Sequence, residues 1–439
     1  MRIAAISLHT CPLAALGGKE TGGMNVYVRE LSRQLGMNGI MVDVFTRSQN
    51  PDLPRVVSMG PGSRVIHIPA GAERPLDKHR LSRHIPEFLN GMIRFAEQEG
   101  ISYDLVHSHY WLSGWIGALL KPLWGIPWVH MYHTLGFLNN HVARPGEVKE
   151  PSIRLTMEAK IGKEAERVVV PTPMEKAHLI WSLGIAPEKI RVIPCGVDVE
   201  LFQPVDPHKA RNLLGLDSGR FILFVGRLTP VKGLDTLIRA FRILADRGWN
   251  NGKGVRLLIV GGDQEEPDAD SSELSSLAGS LGVADKMLFL GPQRQSLLPL
   301  FYASAEVCVL PSRYESFGMV ALEAMACGKP VVASNVGGLA FSVLNDETGV
   351  LVPEGDPSAL AVHLSFLLDH PEVARTLGRR AAQRALNFRW PLIANRMLDL
   401  YHQLTPSRKP ATAPQQKAQE IPKSDPQRSI SNRPRYYYR

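Results

Sequence analysis

Strand-sized apolar runs recur along the chain, each ending in a polar or glycine-containing loop and followed by a helical pattern. In the first half these runs are RIAAISL, MVDVFTR, RVIHIP, LVHSHY, PWVHMYH, RVVVPT and IRVIP. Nearly continuous apolar strands are buried on both faces, and their alternation with helices calls for parallel sheets sandwiched between helices. After PCGVDVELFQPVDPHK, which has the prolines and polar residues of an interdomain connection, the pattern restarts with RFILFVGRL, VRLLIVGGD, KMLFLGP, EVCVLPS, PVVASNVGG and GVLVPEGD. The expected fold is therefore α/β, with two doubly wound units in tandem and a cleft between them. A length of 439 residues agrees, because it exceeds what one hydrophobic core usually supports. The expected divisions are residues 1–200, residues 201–385, a helix over 386–405 free to return to the first domain, and a tail over 406–439.

Charge argues against a nucleic-acid partner once it is placed along the chain. The net charge is +8, but the segment from Pro406 to Arg439 holds eight Lys or Arg against Glu420 and Asp425, leaving the folded body nearly neutral. That segment also has six prolines and almost no aliphatic residues. It cannot bury enough surface to order itself and reads as a solvated tail, with a weak hold on anionic lipid or RNA as its other use. No apolar run is long enough to span a membrane, and the N-terminal MRIAAISLHT reads as a first buried strand rather than a leader. Cys11, Cys195, Cys308 and Cys327 are far apart and form no CxxC pair, so neither a disulfide framework nor a zinc site is expected and a cytoplasmic setting fits.

The second series opens with FILFVGRLTPVKGLDTLIRAF, a strand, a loop and a helix. Arg227 and Lys232 lie in that loop, where helix-terminal amides also point outward, so two cations and a helix dipole converge on one anion-sized place. This suits a phosphate or diphosphate, although neither GxxxxGK[ST] nor GxGxxG is present. Further on, PSRYESFGMVALEAMACGKPVV sets Glu315 before a helix expected to be capped by Ser316 and stopped at Gly328, with Glu323 two turns in. The two carboxylates would lie about 12 Å apart along the axis. That is too far for a glycosidase pair, and it suits gripping two ends of an extended ligand. In the first half, His107, His109, His130 and His133 fall at strand ends; no carboxylate or Cys accompanies them, so no metal is expected there. His133 ends its strand, where ligands of open α/β sheets collect. The glycine-rich GGKETGGMNVYVREL reads as bare backbone running into a helix, with Gly22 and Gly23 in a tight turn.

GRLTPVKG followed by ESFGMVALEA, the E-x7-E pattern from Glu315 to Glu323, resembles the retaining family-4 glycosyltransferases of GT-B architecture over about residues 1–405. Within that family SLHTCPL, TGGMNVYVREL, VDVFTR, HSHYWLSG and HTLG look most like the branch acting on D-inositol 3-phosphate, with the sucrose-phosphate synthases nearby. The resemblance implies two Rossmann-like domains and a UDP-sugar donor. It implies that Arg227 and Lys232 hold the donor diphosphate, that Glu323 takes the ribose hydroxyls, that Glu315 and His133 contact the donor sugar, and that backbone near Gln293 reads the uracil. Gly23 is placed on the donor side. Lys78, Tyr110, Thr134 and Arg154 would clamp an acceptor phosphate, with His9 and Asn25 on inositol hydroxyls. Glu20 stands where that branch usually has Asp, and GFLNNH lacks a Lys usually found there; both departures concern the acceptor.

The reaction so implied is transfer of N-acetylglucosamine or glucose to a phosphorylated polyol with retention, His133, Arg227, Lys232 and Glu315 forming the catalytic set. The two cations take the place of an obligatory metal, so Mg2+ is compatible but not required. A homodimer is compatible too. Transfer of glucose to fructose 6-phosphate is the alternative within the family, and a silent UDP-sugar-binding protein the alternative outside enzymology. The E-x7-E pattern beside GRLTPVKG speaks against an epimerase or a phosphorylase.

Overall fold

The computed structural model describes residues 1–15, 21–144, 146–217, 219–249, 254–262 and 269–405. The tail over 406–439, and Glu20 with its neighbours 16–19, lie outside the described residues.

Two sheets form. The first holds β1 (Arg2–Ile6), β2 (Met41–Arg47), β3 (Val56–Gly60), β4 (Ser63–Ile68), β5 (Leu105–His109), β6 (Trp128–Met131), β7 (Arg167–Val170) and β8 (Ile190–Val192), in the order β3-β4-β2-β1-β5-β6-β7-β8. The second holds β9 (Arg220–Val225), β10 (Val255–Val260), β11 (Met287–Phe289), β12 (Val307–Leu310), β13 (Val331–Ser334) and β14 (Gly349–Val352), in the order β11-β10-β9-β12-β13-β14. Neighbours are parallel in both, as in β1 where Ile3 pairs with Val42 on one side and Leu105 on the other. The exception is β3, which runs antiparallel to β4 at the sheet edge. Nothing in the apolar pattern signals β3, because VVSMG is mostly solvent-facing and an edge strand needs only one partner.

Strand order reverses at β1 in one sheet and at β9 in the other. At such switch points the chain leaves neighbouring strands in opposite directions, which opens a crevice beyond their carboxyl ends. The loop carrying His9 follows β1 and the loop carrying Arg227 and Lys232 follows β9. The fold thus aims both loops at ligand before any side chain is considered.

Three apolar clusters hold the chain together. One fills the outer face of the first sheet with Phe45, Phe88, Trp128 and Ile161, and another fills the corresponding layer of the second with Phe224, Leu237, Ile259 and Leu364. The third is shared, running from Val44 and Leu105 through Met397 and Leu400 to Leu258 and Val331. Met397 and Leu400 belong to the helix Trp390–Leu404, which returns across both sheets. Trp390 packs edge-on to Tyr27 at 5.7 Å, and Tyr401 Oη lies 2.6 Å from His107 Nδ1. Among the described residues no helix is long and apolar enough to cross a membrane.

Candidate active site

A cleft of about 540 Å3 runs between the strand ends of the two sheets. Its second-sheet wall is the loop Gly226–Lys232 and the segment Tyr314–Val320. The first of these turns back at Gly233, whose φ of 66° favours glycine and whose added Cβ would stand 1.9 Å from Pro311 O. A side chain there would push the two loops apart. Their approach sets Lys232 Nζ 2.5 Å from Glu315 Oε2, so the residues expected to hold a diphosphate and a sugar form one ion pair. Thr229 Oγ1 is buried in the same loop with no hydrogen-bond partner among the described residues. Arg227 lines the cleft beside it.

The expected cap at Ser316 is not observed. The helix runs Met319–Ala326 with Gly318 before it at φ 85°, a conformation that Ser316 could have supplied only with strain. Residues 315–317 are held instead from outside the helix. Glu315 O accepts from Gly338 N at 2.7 Å, and a Cβ on Gly337 would meet that same oxygen at 2.2 Å. The glycine pair of SNVGG is thus what fits Glu315 into the wall. The Met319 helix has no side-chain cap, so its first amides face the cleft and suit an anion.

Glu323 faces a second, smaller cavity of about 230 Å3 that shares Met319 with the cleft. Four residues separate Met319 from Glu323, one turn or about 6 Å of axis. Tyr302 Oη donates to Glu323 Oε2 at 2.9 Å, and burial raises the carboxyl to about 7 despite Tyr302, Gln295 and Arg29. Arg29 comes from the helix Gly23–Met37 of the first sheet and donates to Gln295 Oε1 at 2.5 Å, so the cavity is closed by both halves of the chain. Arg29 and Gln295 were not expected here, since nothing local marks them. Gln293 lines neither cavity, and its side-chain amide donates to Leu290 O at 2.7 Å.

On the first-sheet wall, Arg154 is the organising residue. It is 1% exposed on the helix Ser152–Glu164, donating Nε to Glu158 at 2.7 Å, Nη1 to Tyr110 Oη at 3.0 Å and Nη2 to Thr134 Oγ1 at 3.0 Å. Three expected clamp residues therefore meet directly, and Lys78 lines the same cleft. Burial disfavours the guanidinium charge, but Tyr110, Glu158 and Glu150 outweigh it and hold Arg154 protonated above its ordinary range. Two of the residues here have left-handed backbone without being glycine, Tyr110 at φ 73° and His133 at φ 63°. Strain of this kind, on the order of 1–3 kcal/mol each, collects where side chains must point at a ligand.

His9 packs against Tyr110 with ring centroids 4.3 Å apart and the rings tilted by 39°, and its Nδ1 is buried without a partner among the described residues. Burial, with Lys78, His133 and Arg154 nearby, lowers it to about 3. His133 is likewise lowered to about 3 by burial, and its Nε2 lies 3.0 Å from His109 Nδ1. Both imidazoles are neutral. Asn25 lines the cleft, but its amide is engaged internally. Nδ2 donates to Thr10 Oγ1 at 2.6 Å and Cys11 O at 2.8 Å, while Oδ1 accepts from Gly22 N at 2.9 Å. It ties the β1 loop to the helix start. Gly22 is not in a tight turn either: its φ of 173° is extended, and an added Cβ would meet nothing within 4 Å. Gly23 approaches the opposite wall, where a Cβ would lie 3.4 Å from Met319 Sδ. Among the described residues no group of three or more His, Cys, Asp or Glu is placed to hold a metal ion.

One arrangement therefore emerges: cations and free helix amides on one wall, a buried arginine with two hydroxyls on the other, and neutral imidazoles between. Two known sequence families match the two halves. The family described as Glycosyltransferase Family 4 matches residues 21–201, and that described as Glycosyl transferases group 1 matches residues 208–384. A D-inositol 3-phosphate glycosyltransferase of Acidothermus cellulolyticus is 40% identical over 412 residues, 93% of this chain and 92% of the relative. That of Saccharomonospora viridis is 40% identical over 404 residues, covering 92% and 94%. Among solved structures, the sucrose-phosphate synthase of Thermosynechococcus elongatus superposes with a TM-score of 0.84 at 38% identity, covering 92% of this chain and 98% of that one.

Proposed function

The chain belongs to the family-4, group-1 glycosyltransferases of GT-B fold, and from that premise we propose that it moves N-acetylglucosamine or glucose from a UDP-sugar to 1D-myo-inositol 3-phosphate with retention of anomeric configuration. The observation that carries this reading is that the Arg227 and Lys232 loop and the Arg154, Tyr110 and Thr134 set open onto one cleft. A diphosphate on the first and a phosphate monoester on the second leave the sugar between them, beside His133. The relatives named for inositol 3-phosphate support the acceptor.

In this reading the acceptor hydroxyl oxygen forms the new bond to the anomeric carbon as the bond from that carbon to the diphosphate oxygen breaks. The hydroxyl proton passes to the departing diphosphate oxygen on the same face of the sugar. Arg227, Lys232 and the amides at Met319 stabilise the negative charge that grows there, which is where preorganised donors contribute most. Neutral His133 stabilises the donor sugar as an acceptor or donor of hydrogen bonds without adding charge beside an oxocarbenium-like centre. Glu323 takes the ribose from its own cavity, one helix turn from the diphosphate. With two side-chain cations at the leaving group, turnover persists in EDTA. The reaction belongs to the cytoplasm, where nucleotide sugars and free thiols coexist.

The 38% identity to a sucrose-phosphate synthase favours a second acceptor, fructose 6-phosphate, which would use the same phosphate clamp. One experiment separates them: a panel of UDP-sugars against inositol 3-phosphate, fructose 6-phosphate and their unphosphorylated counterparts, reading UDP release. Turnover with inositol 3-phosphate alone supports the first reading, and preference for fructose 6-phosphate replaces it with the second. Equal use of unphosphorylated acceptors sinks both, and UDP-sugar binding without turnover makes the protein a binder.

A further inference from the structure

Arg154 has two acidic partners of different kinds. Glu158 is fixed: it is 1% exposed, receives Arg154 Nε at 2.7 Å, and accepts from Gly136 N at 2.9 Å. Glu150 is not part of that scaffold. It precedes the helix Ser152–Glu164, lines the cleft with Lys78 and Arg154, and sets Oε1 2.6 Å from Arg154 Nη1. Asn139 Nδ2 donates to the same oxygen at 2.9 Å, whereas Oε2 is buried with no hydrogen-bond partner among the described residues. Burial pushes the Glu150 carboxyl up, but Arg154, Asn139 and Lys78 together hold it below its ordinary range, so the group is an anion.

We propose that Glu150 is a carboxylate stand-in for the acceptor phosphate, occupying the Arg154 guanidinium until a phosphorylated acceptor displaces it. This rests on the phosphate-clamp reading above. Glu158 already balances the guanidinium charge, so Glu150 is a second anion that can leave without stranding Arg154. The stand-in also selects. A neutral hydroxyl cannot compete with a carboxylate for an arginine, while a phosphate offers more charge and three acceptor oxygens. The clamp therefore opens to phosphate monoesters and stays shut to the plain polyol. Exchange needs only side-chain rotation, because Glu150 N donates to Asn140 Oδ1 at 2.7 Å and holds the backbone in place.

The test is calorimetric titration of the full chain with inorganic phosphate, together with acceptor kinetics on inositol 3-phosphate. Glu150→Gln keeps the shape and removes the charge. Phosphate binding should tighten about tenfold, as expected for loss of one competing ion pair, and the acceptor KM should fall with kcat little changed. Glu150→Ala should move phosphate binding in the same direction. Unchanged or weaker phosphate binding in both variants, with the fold intact by circular dichroism, overturns the proposal. Lys78→Ala and Arg154→Lys identify which idea failed. If they weaken phosphate binding while Glu150→Gln does not strengthen it, the stand-in is wrong and the clamp stands. If phosphate binding ignores both, the clamp is wrong and the stand-in falls with it.

Discussion

Lys232 Nζ lies 2.5 Å from Glu315 Oε2, on the wall of the cleft between the two sheets. In the proposed reading donor binding replaces an existing ion pair, with the diphosphate taking Lys232 and the sugar hydroxyls taking Glu315. Both side chains are about a fifth exposed, so the pair contributes little to stability, roughly 0–1 kcal/mol. Lys232→Ala should leave thermal unfolding nearly unchanged and lower turnover about 100 to 1000-fold, as when one preorganised donor at a growing anion is removed. Glu315→Gln should split the two effects: free UDP binds several-fold tighter to the released lysine while turnover falls. UDP release assays and UDP titrations read both, and near-normal turnover in Lys232→Ala would falsify the donor assignment.

Arg154 and Lys78 face the same proposed phosphate but differ in burial. Removing Arg154 leaves Glu158 buried without its partner, a loss of about 3–5 kcal/mol by comparison with other broken buried pairs. Arg154→Ala should thus unfold at markedly lower urea concentration, and its lost activity says little about the acceptor. Lys78→Ala is the cleaner probe: its side chain is half-buried, so folding should be near wild type and the acceptor KM should rise at least tenfold with the donor KM unchanged. A donor KM that rises equally would place Lys78 elsewhere in the reaction.

Glu323 supplies a pH dependence. Its carboxyl is raised by burial to about 7, above its value in the unfolded chain. In the proposed ribose-binding role only the ionised form can accept from two hydroxyls, so the donor KM should rise as pH falls from about 8 to 6. Stability runs the other way. A carboxyl raised on folding contributes stability fully present below its unfolded pKa and lost as pH rises through about 7. Glu323→Gln should therefore flatten both profiles, with a higher donor KM at pH 8 and a smaller alkaline loss of stability. Donor KM and urea midpoint measured over this range check the two signs separately; a wild-type donor KM independent of pH would place the titration elsewhere.

The parts of this structure that were legible in the sequence are those written locally. Thirteen of the strands stand under apolar runs, and the loop after β9 announces its charge because Arg227 and Lys232 lie within six residues of each other. Thr229 sits in the same quoted loop and could have been singled out. The cap at Ser316 went wrong because the preference of serine for caps is local, whereas residues 315–317 are shaped by Gly337 and Gly338 in the turn after β13. The acceptor wall is the opposite case. Lys78, Tyr110, Thr134 and Arg154 come from four separate segments, and only likeness to a family could gather them in advance. Glu150 and Arg29 were missed because an acidic residue before a helix, or a basic one within it, looks like ordinary surface until its partner is known.

The last relationship with a measurable consequence joins the chain's final helix to its first sheet. Tyr401 Oη and His107 Nδ1 are 2.6 Å apart and wholly buried. Burial keeps the phenol protonated and lowers the imidazole to about 3, so a neutral pair shares this bond. His107 in turn packs against His109 with centroids 4.2 Å apart and the rings tilted by 47°, and His109 meets His133 at the cleft. Tyr401→Phe leaves the buried His107 Nδ1 without this partner and should cost about 1–3 kcal/mol, read as a lower urea midpoint. The sign with pH follows from the lowered imidazole. Its stabilising contribution is present above the unfolded value of 6.5 and is lost as pH falls toward 3, so wild-type stability should drop through this interval. The measurement is the urea midpoint of both proteins at pH 7.5 and at pH 5. Equal midpoints for the two proteins at pH 7.5 would mean that the helix is held by its apolar face alone.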